Sequence, residues 1–238
     1  MVYDIFNKLF KMKNIFITAL CCLGLFSCNG QTKKLNADEI KLIKEINLDQ
    51  ETAEKLKNMS SGNFQVSKGQ EEREILFEDA ENLKNHAEDL PKAIKISIKA
   101  ENFPLIVEQF REQLKLKKLI LYKSAENYGN EDDVITILQS ENKYEPLLFE
   151  ATNAVNYEIY TSQIIDQLKS WDSKYGIELN GVGSDFVFGE FKNQPNNLHK
   201  FAKELYVFCP DIVDQGVGNI KELEKTIKET KGFFLWWD

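Results

Sequence analysis

Histidine and cysteine are scarce in this sequence. The 238 residues include two histidines, His86 and His199, and four cysteines. Two histidines exclude a multi-histidine metal site. Basic residues are also in deficit, with 30 Lys and Arg against 38 Asp and Glu, a formal charge of −8 and a calculated pI near 5.1. A broad nucleic-acid surface needs clustered Lys and Arg, so this balance predicts no nucleic-acid partner.

Several catalytic signatures are missing as well. The sequence has no phosphate loop, no dinucleotide-binding glycine fingerprint, no zinc ligand set and no convincing pair of nucleophile and base. We therefore expect no cofactor. What the chain has instead is a composition of 42% hydrophobic and 29% charged residues, which is typical of a soluble globular protein. Its length suits one domain of moderate size with a tail, or two small domains.

The sharpest single signal lies near the beginning of the sequence. Residues 15–26 read IFITALCCLGLF, an uncharged run of twelve with two lysines shortly before it. Twelve residues are too few for a membrane-spanning helix, which needs about 20, and they fit the apolar core of a secretory signal. The LFSC at 25–28 resembles a bacterial lipobox, which implies removal of a signal peptide at 1–27 and diacylation of Cys28. A short buried helix, or an ordinary cleaved signal with an incidental thiol, is the alternative.

Acylation at Cys28 predicts where the protein resides. Stable anchoring takes more than one acyl chain, since each buried methylene contributes about 0.8 kcal/mol. From residue 28 onward the chain carries 27 basic and 37 acidic residues, and an acidic body is repelled by anionic lipid. We therefore expect a protein held in the cell envelope by lipid on Cys28, exported to the periplasm or the outer face of a bacterial membrane. With the signal removed, Cys28 and Cys209 are the cysteines that remain. Because Cys28 is acylated, we expect no internal disulfide.

Residues 28–90 are predicted to be a tether followed by a charged, weakly helical segment. The stretch 29–36 is polar, and short apolar stripes predict helices at 37–46 and 49–59. The stretch 60–90 is rich in charge, which is typical of a solvated segment.

Residues 91–238 are predicted to form an α/β globular domain. Strict alternation at 93–99 predicts a half-buried strand. A helix follows Pro104, and further elements are predicted in the order strand 119–122, helix 132–139 and strand 147–149. This βαβαβ order favours right-handed crossovers and parallel pairing.

The C-terminal third shows a second pattern. A helix begins near Thr161 and stops at Gly176, and Asn180-Gly181 reads as a hairpin turn. The remaining predicted elements are strands at 177–179, 185–191 and 233–237 and helices at 198–205 and 220–227. From residue 147 this order resembles a ferredoxin-like βαββαβ module with one extra helix. The fold class is therefore α/β of the mixed α+β kind, with helices packed on a mixed sheet.

The densest polar cluster is FCPDIVDQG at 208–216. Asp211 and Asp214 are candidates for a weak metal site or for an acid–base pair, and Gln215 follows them. Ordinary turn chemistry, with Asp after Pro and Gln before Gly, is the structural alternative. A metal-assisted hydrolase using these carboxylates, with Glu204 or Asp238 as a further member, is the alternative function.

Cys209 has one candidate base on the same predicted helix, His199. Ten residues on a helix separate the two by about 15 Å along its axis, so they cannot form a dyad, and a buried structural thiol is expected. At the last residues, Trp236 and Trp237 point to opposite faces of a strand. One is expected in the core and the other at the surface or an interface, while Asp238 either binds a cation or is solvated.

The segment EATNAVNY at 150–157 leads from a predicted strand into a helix. Such a position can form a ligand crevice beyond the carboxyl end of a strand, which makes Asn156 and Tyr157 candidate ligand residues. Hydrogen bonding to the local backbone is the alternative.

Five segments carry a family resemblance. They are TNAVNY at 152–157, WDSKYG at 171–176, GVGSDFVFGEF at 181–191, AKELYVFCPDIVDQGVG at 202–218 and LWWD at 235–238. Together they resemble the bacterial domain-of-unknown-function family 4253 (DUF4253) over about residues 145–238. The resemblance implies an α/β domain and no established activity. The leading hypothesis is a membrane-anchored lipoprotein that binds a protein or a small ligand.

Overall fold

The structure is a computed structural model that describes residues 32–69, 91–127 and 129–238. The predicted signal peptide at 1–27, Cys28 and most of the predicted charged stretch 60–90 lie outside the described residues. None of the helices in the described ranges combines the length and the apolar character needed to cross a bilayer.

The described residues form seven α-helices and seven strands, and we number each kind in chain order. The helices are α1 (Ala37–Glu45), α2 (Gln50–Asn58), α3 (Phe103–Lys115), α4 (Glu145–Phe149), α5 (Thr161–Tyr175), α6 (Leu198–Phe208) and α7 (Ile220–Thr230). The strands are β1 (Gln65–Ser67), β2 (Ala93–Ile98), β3 (Leu119–Ala125), β4 (Asp133–Gln139), β5 (Ile177–Val182), β6 (Phe186–Phe191) and β7 (Gly232–Trp236). A π-helical turn at Ile212–Val217 and short 3₁₀ turns at Ala100–Asn102 and Val155–Tyr157 complete the set.

The described strands form one seven-stranded sheet in the order β1-β2-β4-β3-β5-β6-β7. Neighbouring strands are antiparallel except β3 and β5, which are parallel and meet at Lys123 and Gly181. This mixed sheet with helices packed on it confirms the predicted α+β class. The predicted parallel pairing in the first half is wrong, because β4 turns back between β2 and β3.

Two predicted elements have the wrong type. Residues 133–139 form a strand, not a helix, since the run Val134-Ile135-Thr136-Ile137 is β-branched and fits a pleated, buried surface. Residues 145–149 form a helix, not a strand, and Pro146 sits in its first turn, where a missing backbone N–H costs nothing.

The predicted hairpin turn at Asn180-Gly181 is also wrong, because both residues lie inside β5. The ladder shifts register between Leu179 and Gly181. A Cβ on Gly181 would lie 1.9 Å from the ring of Phe188, so only glycine allows this approach. The connection to β6 falls at 183–185. Strand β7 pairs with β6 at one edge of the sheet, and β5 lies between β6 and β3. This strand order differs from that of a ferredoxin-like module.

The two short N-terminal helices are present as predicted and share the core of the sheet. Asn36 and Glu39 form a capping box that starts α1, and the side chain of Asp49 caps α2. Ile43, Ile46, Leu48, Ala53, Leu56 and Phe64 are all buried in the same hydrophobic cluster as the strands. The region 35–67 therefore belongs to the packed body.

Aromatic side chains fill the core of the C-terminal half. Trp171 of α5 is fully buried and makes edge-on contacts with Phe201, Phe208 and Phe233 at ring-centroid distances of 5.4 to 5.9 Å. Edge-to-face pairs of this kind stabilise beyond their burial. They fix α5, α6 and β7 against one another and so hold the segment that follows α6.

Candidate functional site

The candidate site is centred on Asp211, which lies between the end of α6 and the π-helical turn. Pro210 cannot continue α6, because it lacks the N–H that a helix interior requires. A π-helical turn is rare, and such turns are frequent at functional sites. The side chain of Asp211 is buried, with 4% of the residue exposed.

The Asp211 carboxylate joins three segments that are distant in the sequence. Its Oδ1 accepts a hydrogen bond from the Tyr157 hydroxyl at 2.5 Å and another from the Gln215 amide at 3.0 Å. Its Oδ2 accepts from the backbone N–H of Asp238 at 3.0 Å. Both oxygens are thus engaged, and all three donors are neutral.

These hydrogen bonds determine how the site titrates. Burial alone raises the pKa of Asp211, but the bonds from Tyr157, the Asp238 amide and Gln215 outweigh burial and hold that pKa below its ordinary value. In turn, the bond to Asp211, with burial as the second cause, raises the pKa of Tyr157 to about 12. The carboxylate therefore stays ionised and the phenol stays protonated near neutral pH.

Loop 152–157, the β5–β6 turn and the last residues close around this centre. Asn156 donates from Nδ2 to the Asp238 carbonyl oxygen at 2.8 Å. The Thr152 hydroxyl donates to the Gly183 carbonyl at 2.7 Å, and the backbone N–H of Trp237 donates to the Asp185 carbonyl at 3.0 Å. Four of the five segments that carry the family resemblance thus meet at one place.

Cys209 lies beside the outer edge of β7. Its Sγ donates to the Trp236 carbonyl at 3.0 Å and accepts from the Trp236 N–H at 3.3 Å. The thiol therefore occupies backbone groups that an edge strand would otherwise offer to another chain. Burial raises the pKa of Cys209 to about 12. His199, the candidate base, lies at the surface of α6 with Nδ1 3.2 Å from a Glu224 carboxylate oxygen.

The two terminal tryptophans have different surroundings. Trp237 is buried, its indole N–H donates to the Phe208 carbonyl at 3.4 Å, and its ring meets that of Phe208 edge-on. Trp236 is half-buried. Four polar residues on the segments that meet at this site are exposed: Asn156, Asp214, Gln215 and Asp238.

Two further candidate acids, Asp214 and Glu204, accept hydrogen bonds from other partners. Asp214 accepts from the Tyr206 hydroxyl at 3.1 Å, on the π-helical turn. Glu204 accepts from the Trp171 indole N–H at 2.8 Å and so belongs to the aromatic core. Within the ranges that the structure describes, no three His, Cys, Asp or Glu side chains come together in a group that could hold a metal ion.

Sequence reasoning missed a second buried polar cluster. Lys123 of β3 is fully buried, with its ammonium 2.7 Å from Asp133 Oδ2, in contact with Glu126 and 4.8 Å from the centre of the Phe103 ring. A lysine directly after the apolar run Leu119–Tyr122 was the available signal. Tyr206, which binds Asp214, was missed as well, because its partner lies eight residues further along the chain.

Comparison with known proteins finds a similarity for part of this chain. No curated protein and no solved structure matches the chain. A family model does match, from within β4 to the last residue, and the match begins eleven residues before the predicted boundary at 145. Residues 134–238 match the model of a family described as a domain of unknown function (DUF4253).

Proposed function

We propose that this chain is a lipid-anchored protein of the cell envelope whose DUF4253 domain presents a rigid binding surface around Asp211. The observation that carries the proposal is that one buried carboxylate joins the segments 152–157, 211–216 and 236–238 by hydrogen bonds. The β5–β6 turn at 183–185 binds two of these segments in turn. We call the exposed part of this convergence the Asp211 surface: Asn156, Tyr157, Asp214, Gln215 and Asp238.

The state of the central groups supports binding over catalysis. A general base must be free to take a proton, but both oxygens of Asp211 already accept hydrogen bonds from the protein. A nucleophilic cysteine needs a lowered pKa and access, whereas Cys209 is buried and its pKa is raised. We therefore assign the hydrogen bonds around Asp211 the role of keeping the Asp211 surface rigid.

The charge of the Asp211 surface supports a partner that brings positive charge. Among the described residues no basic side chain lies within ion-pair distance of Asp211, and Asp214 and Asp238 add two exposed carboxylates. Tyr157 is 37% exposed, and its hydroxyl binds the buried carboxylate, so its aromatic ring lies close to a negative charge. Cations are attracted both by carboxylates and by aromatic faces.

Attachment through Cys28 is the second half of the proposal. Its support is the twelve-residue apolar run followed by LFSC. We expect Cys28→Ala to move the protein from the membrane fraction to the soluble fraction. Unchanged fractionation would remove the lipid anchor from the proposal and leave the Asp211 surface untouched.

Site-specific photo-crosslinking tests the binding surface in cells. A photoreactive amino acid replaces Asp214, and the control carries it at Leu116, which is 88% exposed on a different part of the body. We expect a discrete adduct from position 214 whose yield falls when Asn156→Ala is added. Equal adducts from both positions, or none from position 214, would contradict binding at this surface.

A titration of the purified full chain with Ca²⁺, Mg²⁺, Mn²⁺ and Zn²⁺ separates binding from metal-assisted hydrolysis. A ligand that binds the native state raises the melting temperature. We expect no rise that depends on Asp211 and Asp214. A rise that disappears in Asp214→Asn would instead favour the hydrolase.

A further inference from the structure

A separate polar cluster lies between α3 and the strands β5 and β6. Glu178 of β5 stands directly opposite Glu190 of β6, and like charges in such a pair destabilise a sheet. Helix α3 supplies positive charge: the Lys115 ammonium lies 2.7 Å from Glu178 Oε1, and Arg111 precedes it by one helical turn. Burial lowers the pKa of Arg111 against the opposing effect of the charges of Glu178 and Glu190, so its guanidinium lies near both carboxylates.

Asn180 enters this cluster from a bulge in β5. The ladder of β5 and β6 shifts register between Leu179 and Gly181, which makes Asn180 an extra residue on its strand. The residue is 5% exposed, and its Nδ2 donates to Glu190 Oε1 at 2.9 Å. That bond fixes the orientation of the amide, because the flipped amide would turn its oxygen toward the carboxylate.

One donor and one acceptor of the cluster are left over. Arg111 Nη2 and Asn180 Oδ1 are both buried from solvent, and neither has a hydrogen-bond partner among the residues that the structure describes. Each unsatisfied buried group costs about 1–3 kcal/mol of stability. Folded proteins satisfy nearly all such groups, either with protein atoms or with ordered water.

The charges of the cluster determine which kind of molecule can satisfy both atoms. An anion would be repelled by Glu178 and Glu190, and it would have no hydrogen to donate to Asn180 Oδ1. A cation would be repelled by Arg111 and Lys115. A neutral molecule that both accepts and donates hydrogen bonds meets both requirements, and water is the smallest of these.

We propose that one internal water molecule binds between α3 and the bulge of β5, where it accepts a hydrogen bond from Arg111 Nη2 and donates one to Asn180 Oδ1. This water joins a helix that lies outside the matched residues 134–238 to a strand that lies inside them. Because β5 leads directly into the turn at 183–185, the water also steadies the strand that carries this turn. The water site requires neither the lipid anchor nor a partner at the Asp211 surface.

A high-resolution crystal structure of the full chain tests the site directly. We expect an ordered water at about 2.7–3.2 Å from both Arg111 Nη2 and Asn180 Oδ1. A structure with no ordered water at this place, with an ion there, or with either atom bonded to a protein group instead would overturn the proposal.

Oxygen-17 relaxation dispersion tests the site in solution, because it counts internal water molecules that exchange slowly. Asn180→Leu removes the acceptor at nearly constant volume. Asn142→Leu is the matched control, because the Asn142 side chain bonds to Tyr144 and Glu145 at the surface. We expect the count to fall by one in Asn180→Leu and to stay at the wild-type value in Asn142→Leu. An unchanged count in folded Asn180→Leu would contradict the site, and the wild-type crystal structure decides if this variant does not fold.

Discussion

Two buried carboxylates, one in each half of the chain, tie distant segments together with different partners. Glu39 in α1 accepts the backbone N–H groups of Asn36 at 2.9 Å and Phe64 at 3.0 Å, and it also binds the buried ammonium of Lys57. Asp211 has the same number of donors, but each of them is neutral. The first carboxylate is neutralised inside the protein, whereas the second keeps its charge beneath the surface.

This difference separates a structural junction from a candidate binding site. The charge of Glu39 is neutralised by the buried ammonium of Lys57, so this carboxylate does not attract a ligand. A buried charge held by neutral dipoles still projects a field through its surroundings. The comparison therefore assigns stability to the Glu39 junction and recognition to the Asp211 surface.

The largest effect is expected when the first half of the chain is removed, which tests whether residues 134–238 fold alone. Within residues 134–238, β4 and β5 are not neighbours, because β3 from outside the match lies between them. A fragment of residues 134–238 therefore leaves β4 without its partners, and we expect no cooperative unfolding transition. Residues 32–238, which keep β1 to β3, are the control and should melt cooperatively. A folded 134–238 fragment would mean that the two halves are separate domains.

The next largest effect is expected at the Glu39 junction. Lys57→Met leaves the Glu39 carboxylate buried without its cation, which costs about 3–5 kcal/mol of the free energy of unfolding. Lys55→Met is the matched control on the same helix, since Lys55 pairs with Glu51 at the surface and should cost less than about 1 kcal/mol. Urea unfolding measures both. Similar losses in the two variants would remove the distinction between a buried and an exposed pair.

Asp211→Asn should lower the free energy of unfolding by about 1.5–3 kcal/mol, which is less than the loss in Lys57→Met. The reason is that the donors lose a charged acceptor, but no buried charge is left without a partner. The pKa of Asp211 is lowered in the folded state, so its contribution is present above its ordinary value near 4 and is lost as the pH falls through the folded value. The gap in stability between wild type and Asp211→Asn should therefore be full at pH 7 and narrow below about pH 4. A gap that is independent of pH would show that the carboxylate charge has no role.

The sequence predicted the fold class and most helices because these depend on local patterns. Apolar stripes with capping residues located α1, α2, α5 and α7. It failed at 133–139 and 145–149, where a short apolar run fits either a helix or a strand and the choice is made by tertiary partners. The pairing of β4 between β2 and β3 is likewise non-local.

The candidate site was predictable as a set of residues but not as an arrangement. The motifs indicated Asn156, Tyr157, Asp211 and Asp238, and the structure joins them by hydrogen bonds. Nothing in a single sequence specifies that Tyr157 and Asp211, 54 positions apart, share a bond. Glu204 illustrates the converse, since it lies seven residues from Asp211 in the sequence and binds Trp171 instead.

A smaller effect is expected from Tyr157→Phe, which removes one donor to Asp211. The loss should be about 1 kcal/mol, at the low end for a bond to a carboxylate because the tyrosine is 37% exposed. The difference in ultraviolet absorbance between wild type and this variant reports the ionisation of Tyr157 alone. It should titrate near pH 12 in the wild type and move toward 10 when Asp211→Asn is present in both proteins. If Asp211→Asn does not change the titration of Tyr157, the raised pKa of Tyr157 has a cause other than the Asp211 carboxylate.

The last test changes neither the Glu39 junction nor the Asp211 surface, so we expect it to have the smallest effect on stability. Alkylation of the native thiol tests whether Cys209 is held in place behind Trp236, as the packing of the Asp211 surface requires. At pH 8 a thiol with a pKa of about 12 is almost entirely protonated, and the side chain is fully buried. We expect iodoacetamide to leave Cys209 unmodified in the folded full chain and to modify it in urea, whereas an added Ser61→Cys reacts in both states. Modification of native Cys209 as fast as that of Cys at position 61 would mean that the edge of β7 opens, and a surface built on that edge would then not be rigid.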